Sequence, residues 1–486
     1  MDAGTPAPDF AALLNQVPDV AWRPEATSDT LPTAAILHLA DHLRRDPALL
    51  AHGPRAAIES VVAGIDTLLG AQLNAILHAS DFQAIEATWR GLQMLIRAAP
   101  KDQGVKVRVL NISKRELARN LRKFRGQAWD QSPVFRRIYD EEFGQLGGEP
   151  FGALIADYEF DHHPDNVALL SDLAMIAAAA HAPLLTAAAP ALLQMESWSE
   201  VANPRDLVRI MGTPEYVAWR ALRDQQDARY VGLCMPRFLA RLPYGATNDQ
   251  LDTFTFEEDT EAVDTSHLLW ANPAWAFGAN LARAFAEYGW CARIRGIDRG
   301  GVVEGLPVLH HPTADGDTDR RTVTEICISE RREAELAGCG LIPLVHRKNT
   351  AVAAFISAQS LQRPQVFDDP DATANANLSA RLPYLFASSR FAHYLKCMMR
   401  DKVGTTKSRA QIQAWLSEWL IGYIDGSPAT SSEEFKAAHP LSAGRVVLDA
   451  SPDRPGQFDA KVFLTPHYQL EGLSVSLRLV SRLTAE

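Results

Sequence analysis

Cysteine is scarce in this 486-residue sequence: Cys234, Cys291, Cys327, Cys339 and Cys397 are scattered, and no two form a CxxC pair. An odd set without metal-ligand spacing excludes a disulfide scaffold and a zinc ribbon. It predicts reduced, mostly buried thiols in a reducing compartment. Also missing are GxxxxGK[ST], HExxH and GxSxG, which removes sequence support for phosphate-loop ATP hydrolysis, zinc proteolysis and a nucleophile elbow. Positive charge is short as well. A net charge of -11 argues against a general nucleic-acid binder, because a phosphate backbone demands clustered Lys and Arg. The densest basic run, Lys114 to Arg125, reads as the solvated face of a helix. The N-terminus is acidic and Pro-rich where a signal peptide needs a cationic and then an apolar segment, so cytoplasmic residence is expected.

Several features that resemble sites dissolve on inspection. Leu173 to Leu193 carries no charge and is long enough to span a bilayer, but it is alanine-rich and broken by His181, Pro183 and Pro190. It reads as a buried helix ending near Ala180, followed by a short strand around Leu184 to Ala188, with no membrane insertion. The run DYEFDHHPD (Asp157 to Asp165) gathers ligand types for a metal, yet adjacent histidines on an extended segment point in opposite directions. Asp315, Asp317 and Asp319 begin like a calcium loop, but Arg320 stands where glycine is needed and Ile326 where the bidentate glutamate belongs. Gly296, Gly300, Gly301 and Gly305 lack dinucleotide spacing and read as turn glycines. His181, His346, His393 and His467 have no evident nucleophile or carboxylate partner and are expected to be structural. No catalytic, cofactor-binding or metal-binding residue is predicted.

What is present is a strand–helix alternation. Residues 1–56 form a Pro-broken arm with short helices, and from Ala57 an apolar pattern at helical spacing (Ile58, Val61, Val62, Ile65, Leu68, Leu69) opens an α/β body over 57–370. Strands are predicted over Val105–Ile112, Ala153–Ala156, Leu184–Ala188, Tyr230–Leu233, Ala292–Ile297, Glu325–Ser329, Leu341–Val345 and Ala351–Ile356. Ser113 with Glu116 makes a capping box. Residues 371–486 form a third region. It holds a helix over Leu378–Val403, an amphipathic helix over Arg409–Tyr423 striped with Ile412, Trp415, Leu416, Trp419, Leu420 and Tyr423, and closing strands. The fold class is mixed α/β, with a C-terminal helical and β-hairpin region suited to joining intersubunit sheets.

The closing segment TPHYQLEGLSVSLRLV (Thr465 to Val480) ends in strict alternation, with Leu473, Val475, Leu477 and Leu479 on one face. Lys461 to Leu464 can pair on one side of such a strand. Its other edge must be covered, charged or paired with another chain, so strand exchange in an assembly is expected through these four residues.

Ordered along the chain, DTLLGAQLNAILH (Asp66 to His78), VRVLNISKREL (Val107 to Leu117), EEFGQLGGEPFGALIADYEF (Glu141 to Phe160), YGWCARIRG (Tyr288 to Gly296), GLIPLVH (Gly340 to His346), SRFAHYLKCMMRDKVG (Ser389 to Gly404) and the closing segment carry a resemblance. From about Ile65 to Val480 the chain resembles the large subunit of the type VI secretion contractile sheath, the TssC/VipB family. The resemblance implies a structural, non-enzymatic protein. It would pair with the small sheath subunit (TssB/VipA) and with copies of itself, surround the inner tube protein (Hcp), attach to a baseplate and be recycled by the ClpV unfoldase. It also implies that the chain termini add strands to shared sheets. The N-terminal arm departs from the family's longer unfoldase-binding helix, and Phe10, Leu13, Leu14 and Val17 supply a short apolar face for that role. A divergent paralogue that caps or regulates the tube, or an α/β enzyme with an unrecognised cleft, are the alternative readings.

Overall fold

Two helices lead the described chain. Helix α1 (Pro54–Leu77) takes a proline in its first turn, where no donor is lost, and α2 (Ser80–Ala98) follows directly. The computed structural model describes residues 53–100, 104–126, 128–202, 206–245, 256–260, 267–298, 300–312, 318–320, 322–348, 350–400, 408–450 and 458–467. Most of the stripe that predicts α1 lies exposed, including Ile58, Val62, Ile65, Leu68 and Leu69, so this helix flanks the body instead of opening its core. By length and composition, α1 is the one described helix apolar enough to cross a membrane. Its C-terminal turn is tied down by Asn74, whose Oδ1 accepts from the Asp259 N–H at 3.0 Å, and by His78, stacked on His267 at 4.2 Å.

Helix α3 (Lys114–Lys123) starts at the predicted capping box, with both reciprocal hydrogen bonds formed. It buries Leu117 and Leu121 and turns most of its basic residues outward, while Arg122 and the following Arg125 pair with Asp165 and Asp172. Apart from Lys114, which donates to Glu159 O and lies 4.4 Å from the Phe160 ring centre, the basic run is a solvated face. The segment Val105–Ile112, predicted as a strand, has no regular structure and belongs to none of the sheets.

The central sheet then assembles from β1 (Leu154–Phe160), β2 (Leu184–Ala188) and β3 (Val231–Met235), with α4 (Pro164–Ala180) between the first two. The charge-free run divides as expected. Helix α4 ends at Ala180, His181 turns the chain in the left-handed region at φ 50°, and every residue of β2 is buried. Helix α5 (Pro273–Tyr288), β4 (Val302–Val303), α6 (Glu330–Gly338), β5 (Leu341–His346) and β6 (Ala353–Phe355) complete the body. Strand order is β1-β2-β3-β5-β6-β4, parallel through β5 and antiparallel in the last two pairs. Helices α2 and α5 pack together so closely that a Cβ on Gly91 would stand 2.3 Å from the Trp275 ring.

Two further strand expectations fail for local reasons. Residues 292–297 form a loop held by Gly296 N–H donating to Phe355 O at 2.7 Å and Gly301 N–H donating to Gly296 O at 3.0 Å. A Cβ on Gly301 would lie 2.4 Å from Phe355 O, which accounts for glycine there. Thr324 bridges Phe238 and Glu325 N–H donates to Arg237 O at 2.9 Å, but residues 325–329 form no ladder before Ser329 caps α6. Strand β4 went unpredicted.

The C-terminal part has helices α7 (Pro370–Ser379), α8 (Leu382–Arg400), α9 (Arg409–Ile421) and α10 (Glu433–Ala438), then strands β7 (Leu441–Ala450) and β8 (Phe458–Pro466). Helix α8 serves two cores. Leu382, Leu385 and Phe386 join the body core, whereas Phe391 and Leu395 join a second cluster with Trp290, Leu416, Leu420, Val446 and Leu448. The whole predicted stripe of α9 lies in that second cluster, so its tryptophans are packing residues.

Candidate assembly interface

Strands β7 and β8 make a two-stranded antiparallel sheet in register Val446↔Val462 and Leu448↔Ala460. One face is apolar and covered: Val446, Leu448, Val462 and Leu464 pack on α8 and α9. Contact with α9 is close, since a Cβ on Gly444 would meet Leu420 Cδ2 at 2.8 Å. The other face shows Arg445, Lys461 and Phe463, the last 59% exposed. The outer edge of β7 is engaged at Leu441, which exchanges backbone hydrogen bonds with Tyr423 and Asp425, and at Leu448, whose N–H reaches Gln413 Oε1 at 3.2 Å. No strand lies beside the outer edge of β8 among the described residues. A lone two-stranded sheet is marginal in water, and an open edge is a template for another strand.

Leu473, Val475, Leu477 and Leu479, expected to supply that strand, lie outside the described residues, as do Phe10, Leu13, Leu14 and Val17 of the arm. The structure therefore places neither set. It does place the stem from which residues 468–486 continue: His467 N–H donates to Pro440 O at 3.0 Å, beside the start of β7. Around this stem lies a cavity of about 600 Å³ lined by Arg293, Arg381, Tyr384, Lys436, Thr465 and His467, among others. Burial pushes the His467 imidazole below its ordinary pKa, against the pull of Asp425, and raises the Tyr384 phenol. The Ser442 hydroxyl on this wall is committed to Thr465 O at 2.8 Å, so the one serine lining the cavity is tied up as a donor.

A second arrangement, missed from sequence, joins the body to the C-terminal helices. On α8, His393 Nε2 donates to Ala180 O at 2.8 Å, closing the end of α4, while Lys396 Nζ sits 3.4 Å from the Phe143 ring centre and donates to the Tyr139 hydroxyl at 3.0 Å. Desolvation is the main cause that lowers the His393 pKa to about 4. The signal in sequence was the i, i+3 spacing of His393 and Lys396, uninformative without the aromatic residues that fold against it. His181 meets the Tyr230 hydroxyl at 3.0 Å, and His162 stacks on Tyr216. Both act as packing and hydrogen-bonding residues.

Comparison with known proteins gives these surfaces a context. The chain is 53% identical over 475 residues to the "Type VI secretion system sheath protein TssC1" of Pseudomonas aeruginosa, covering 98% of this chain and 95% of that one. Among solved structures, a chain of the anti-feeding prophage baseplate is 12% identical, with 78% of this chain and 84% of that chain covered and a TM-score of 0.38. A chain of the anti-feeding prophage helical sheath in its contracted state is also 12% identical, with 64% and 66% covered and a TM-score of 0.31. Residues 59–362 match the family model "EvpB/VC_A0108, tail sheath N-terminal domain", and residues 371–483 match "EvpB/VC_A0108, tail sheath gpW/gp25-like domain". The chain therefore belongs to the VipB tail sheath family.

Proposed function

We propose that this chain is the large subunit of a type VI secretion contractile sheath, a structural building block that pairs with a small sheath subunit and polymerises with copies of itself. The observation that carries this reading is the similarity to a type VI sheath protein across nearly the full length of both chains. The open edge of β8 supports it physically, because main-chain pairing gives cohesion while alternate side chains set the register. In this reading Leu473, Val475, Leu477 and Leu479 carry the joining strand, the tube surrounds an Hcp-type inner tube on a baseplate in the cytoplasm, and no catalysis is involved. Contraction then needs no nucleotide, since many interface changes along a strained helical assembly occur together.

Co-expression with the small sheath subunit, viewed by negative-stain electron microscopy, is the test. Long hollow tubes are expected from the wild-type chain, and none from a variant carrying Val475→Pro and Leu477→Pro, which removes ladder donors while leaving the body folded. Tubes at normal yield from that variant would sink the joining-strand assignment, and no association by the wild-type chain would sink the sheath reading. The arm face of Phe10, Leu13, Leu14 and Val17 is proposed to engage the ClpV unfoldase. Deleting the residues before Ala57 should then slow disassembly of contracted tubes, and unchanged disassembly kinetics would remove that role.

A further inference from the structure

Strand β8 runs out on the wall of a cavity. Its stem is pinned twice, by the Ser442 hydroxyl donating to Thr465 O at 2.8 Å and by His467 N–H donating to Pro440 O at 3.0 Å. Thr465, Pro466 and His467 are themselves part of the lining of the cavity of about 600 Å³, so the residue that follows starts at its rim. The four residues after His467 can reach about 14 Å when extended, enough to cross a space of this size.

The lining has two chemistries. Leu378 of α7, Ala387 of α8 and Pro440 ahead of β7 make part of it apolar, while Arg293 and Arg381 bring guanidinium groups to it. Arg293 donates to the Tyr288 hydroxyl at 2.8 Å and to Asp298 O at 2.6 Å, and it pairs with no carboxylate among the described residues. Its buried Nε has no hydrogen-bond partner there. Lys436, also on the wall, is already paired with Glu433 at 3.5 Å, so the unmatched charge belongs to Arg293. An apolar space beside a guanidinium that lacks an anion fits a segment presenting an aliphatic side chain next to a carboxylate.

The chain carries such a segment within reach. After His467 come Tyr468, Gln469, Leu470, Glu471 and Gly472, and Glu471 is the only acidic residue from Tyr468 to Ala485. We infer that the cavity is the seat of the chain's own segment Tyr468–Glu471, with Leu470 against the apolar lining and the Glu471 carboxylate on Arg293 and Arg381. Covalent attachment selects this occupant over the same segment of a second copy, because a short tether gives an effective concentration of about a millimolar. Gly472 lets the backbone turn out of the seat at the start of the alternating residues Leu473–Val480. The seat itself does not depend on the sheath reading, but its consequence rests on it: a joining strand that leaves from a fixed point is offered to a neighbour in few orientations, which lowers the ordering cost of pairing.

Chymotrypsin cleavage after Tyr468 in the isolated full-length chain, compared with cleavage of the free peptide Thr465–Glu486, tests the seat, since proteolysis follows the population of the open form. Cleavage should be at least tenfold slower in the chain, and equally slow after tenfold dilution. Glu471→Arg, each form compared with its own matching peptide, should speed it about tenfold, and adding Arg293→Glu to that variant should bring it back to within about threefold of wild type. A far-UV circular dichroism spectrum matching wild type shows that each variant keeps the fold. A Glu471→Arg chain cleaved within twofold of wild type, or a wild-type chain cleaved as fast as the peptide while still making tubes with the small sheath subunit, overturns the seat and leaves the sheath reading standing. Protection that vanishes on dilution gives the cavity to a second copy's tail and overturns the seat as well. Protection in a chain that makes no tubes supports the seat and sinks the sheath reading alone.

Discussion

The six-stranded body sheet and the two-stranded C-terminal sheet solve the edge problem in opposite ways. In the body, β2 and β3 are buried on both faces and crossed by helices, so most ladder groups are satisfied within the chain. The β7–β8 sheet is covered on one face only, by α8 and α9, and leaves β8 with no neighbouring strand among the described residues. The difference teaches where rigidity ends and assembly begins. On the sheath reading proposed above, the body carries its own core while the terminal sheet offers a free edge to a neighbour.

Two experiments break or sharpen that contrast. The larger effect belongs to the body: Phe355→Ala, which empties a fully buried site packed edge-on to Phe277 at 4.9 Å, should cost ~3–5 kcal/mol in urea unfolding of the isolated chain. Its counterpart on the open sheet, Phe463→Ala, should stay within about 0.5 kcal/mol of wild type. Equal losses at both positions would mean that the terminal sheet is as self-sufficient as the body.

An effect of intermediate size lies at the seam. The His393 pKa is lowered to about 4, so the folded chain holds this imidazole neutral while the unfolded chain protonates it near its ordinary value. Its stabilising contribution is complete above about pH 6.5 and falls as pH drops toward 4, by roughly 3 kcal/mol. His393→Gln should flatten that part of the stability–pH curve. An unchanged acid slope would remove His393 as the group responsible.

Much of this arrangement was legible from local pattern. The capping box at Ser113, the end of α4 at Ala180, the strand Leu184–Ala188 and the stripe of α9 all follow from short-range rules of capping and periodicity, and the structure has each of them. The glycine cluster also behaved as turn chemistry requires, because a Cβ at Gly301 would clash with the Phe355 backbone.

Local pattern set most helix positions and which faces are apolar, because those properties depend on neighbours three or four residues away, but it did not separate residues 292–297 and 325–329, which are loops, from strands. The tertiary structure decided which apolar, β-branched segments become strands. Val105–Ile112 and Leu341–His346 are both rich in β-branched and aliphatic residues, yet only the second finds partners, in β3 and β6. It also decided that α1 keeps its apolar stripe exposed while α9 buries its own, and that α8 divides its residues between two cores. An apolar face declares that it must be covered. What covers it depends on elements hundreds of residues distant or on another chain, and no local period encodes that.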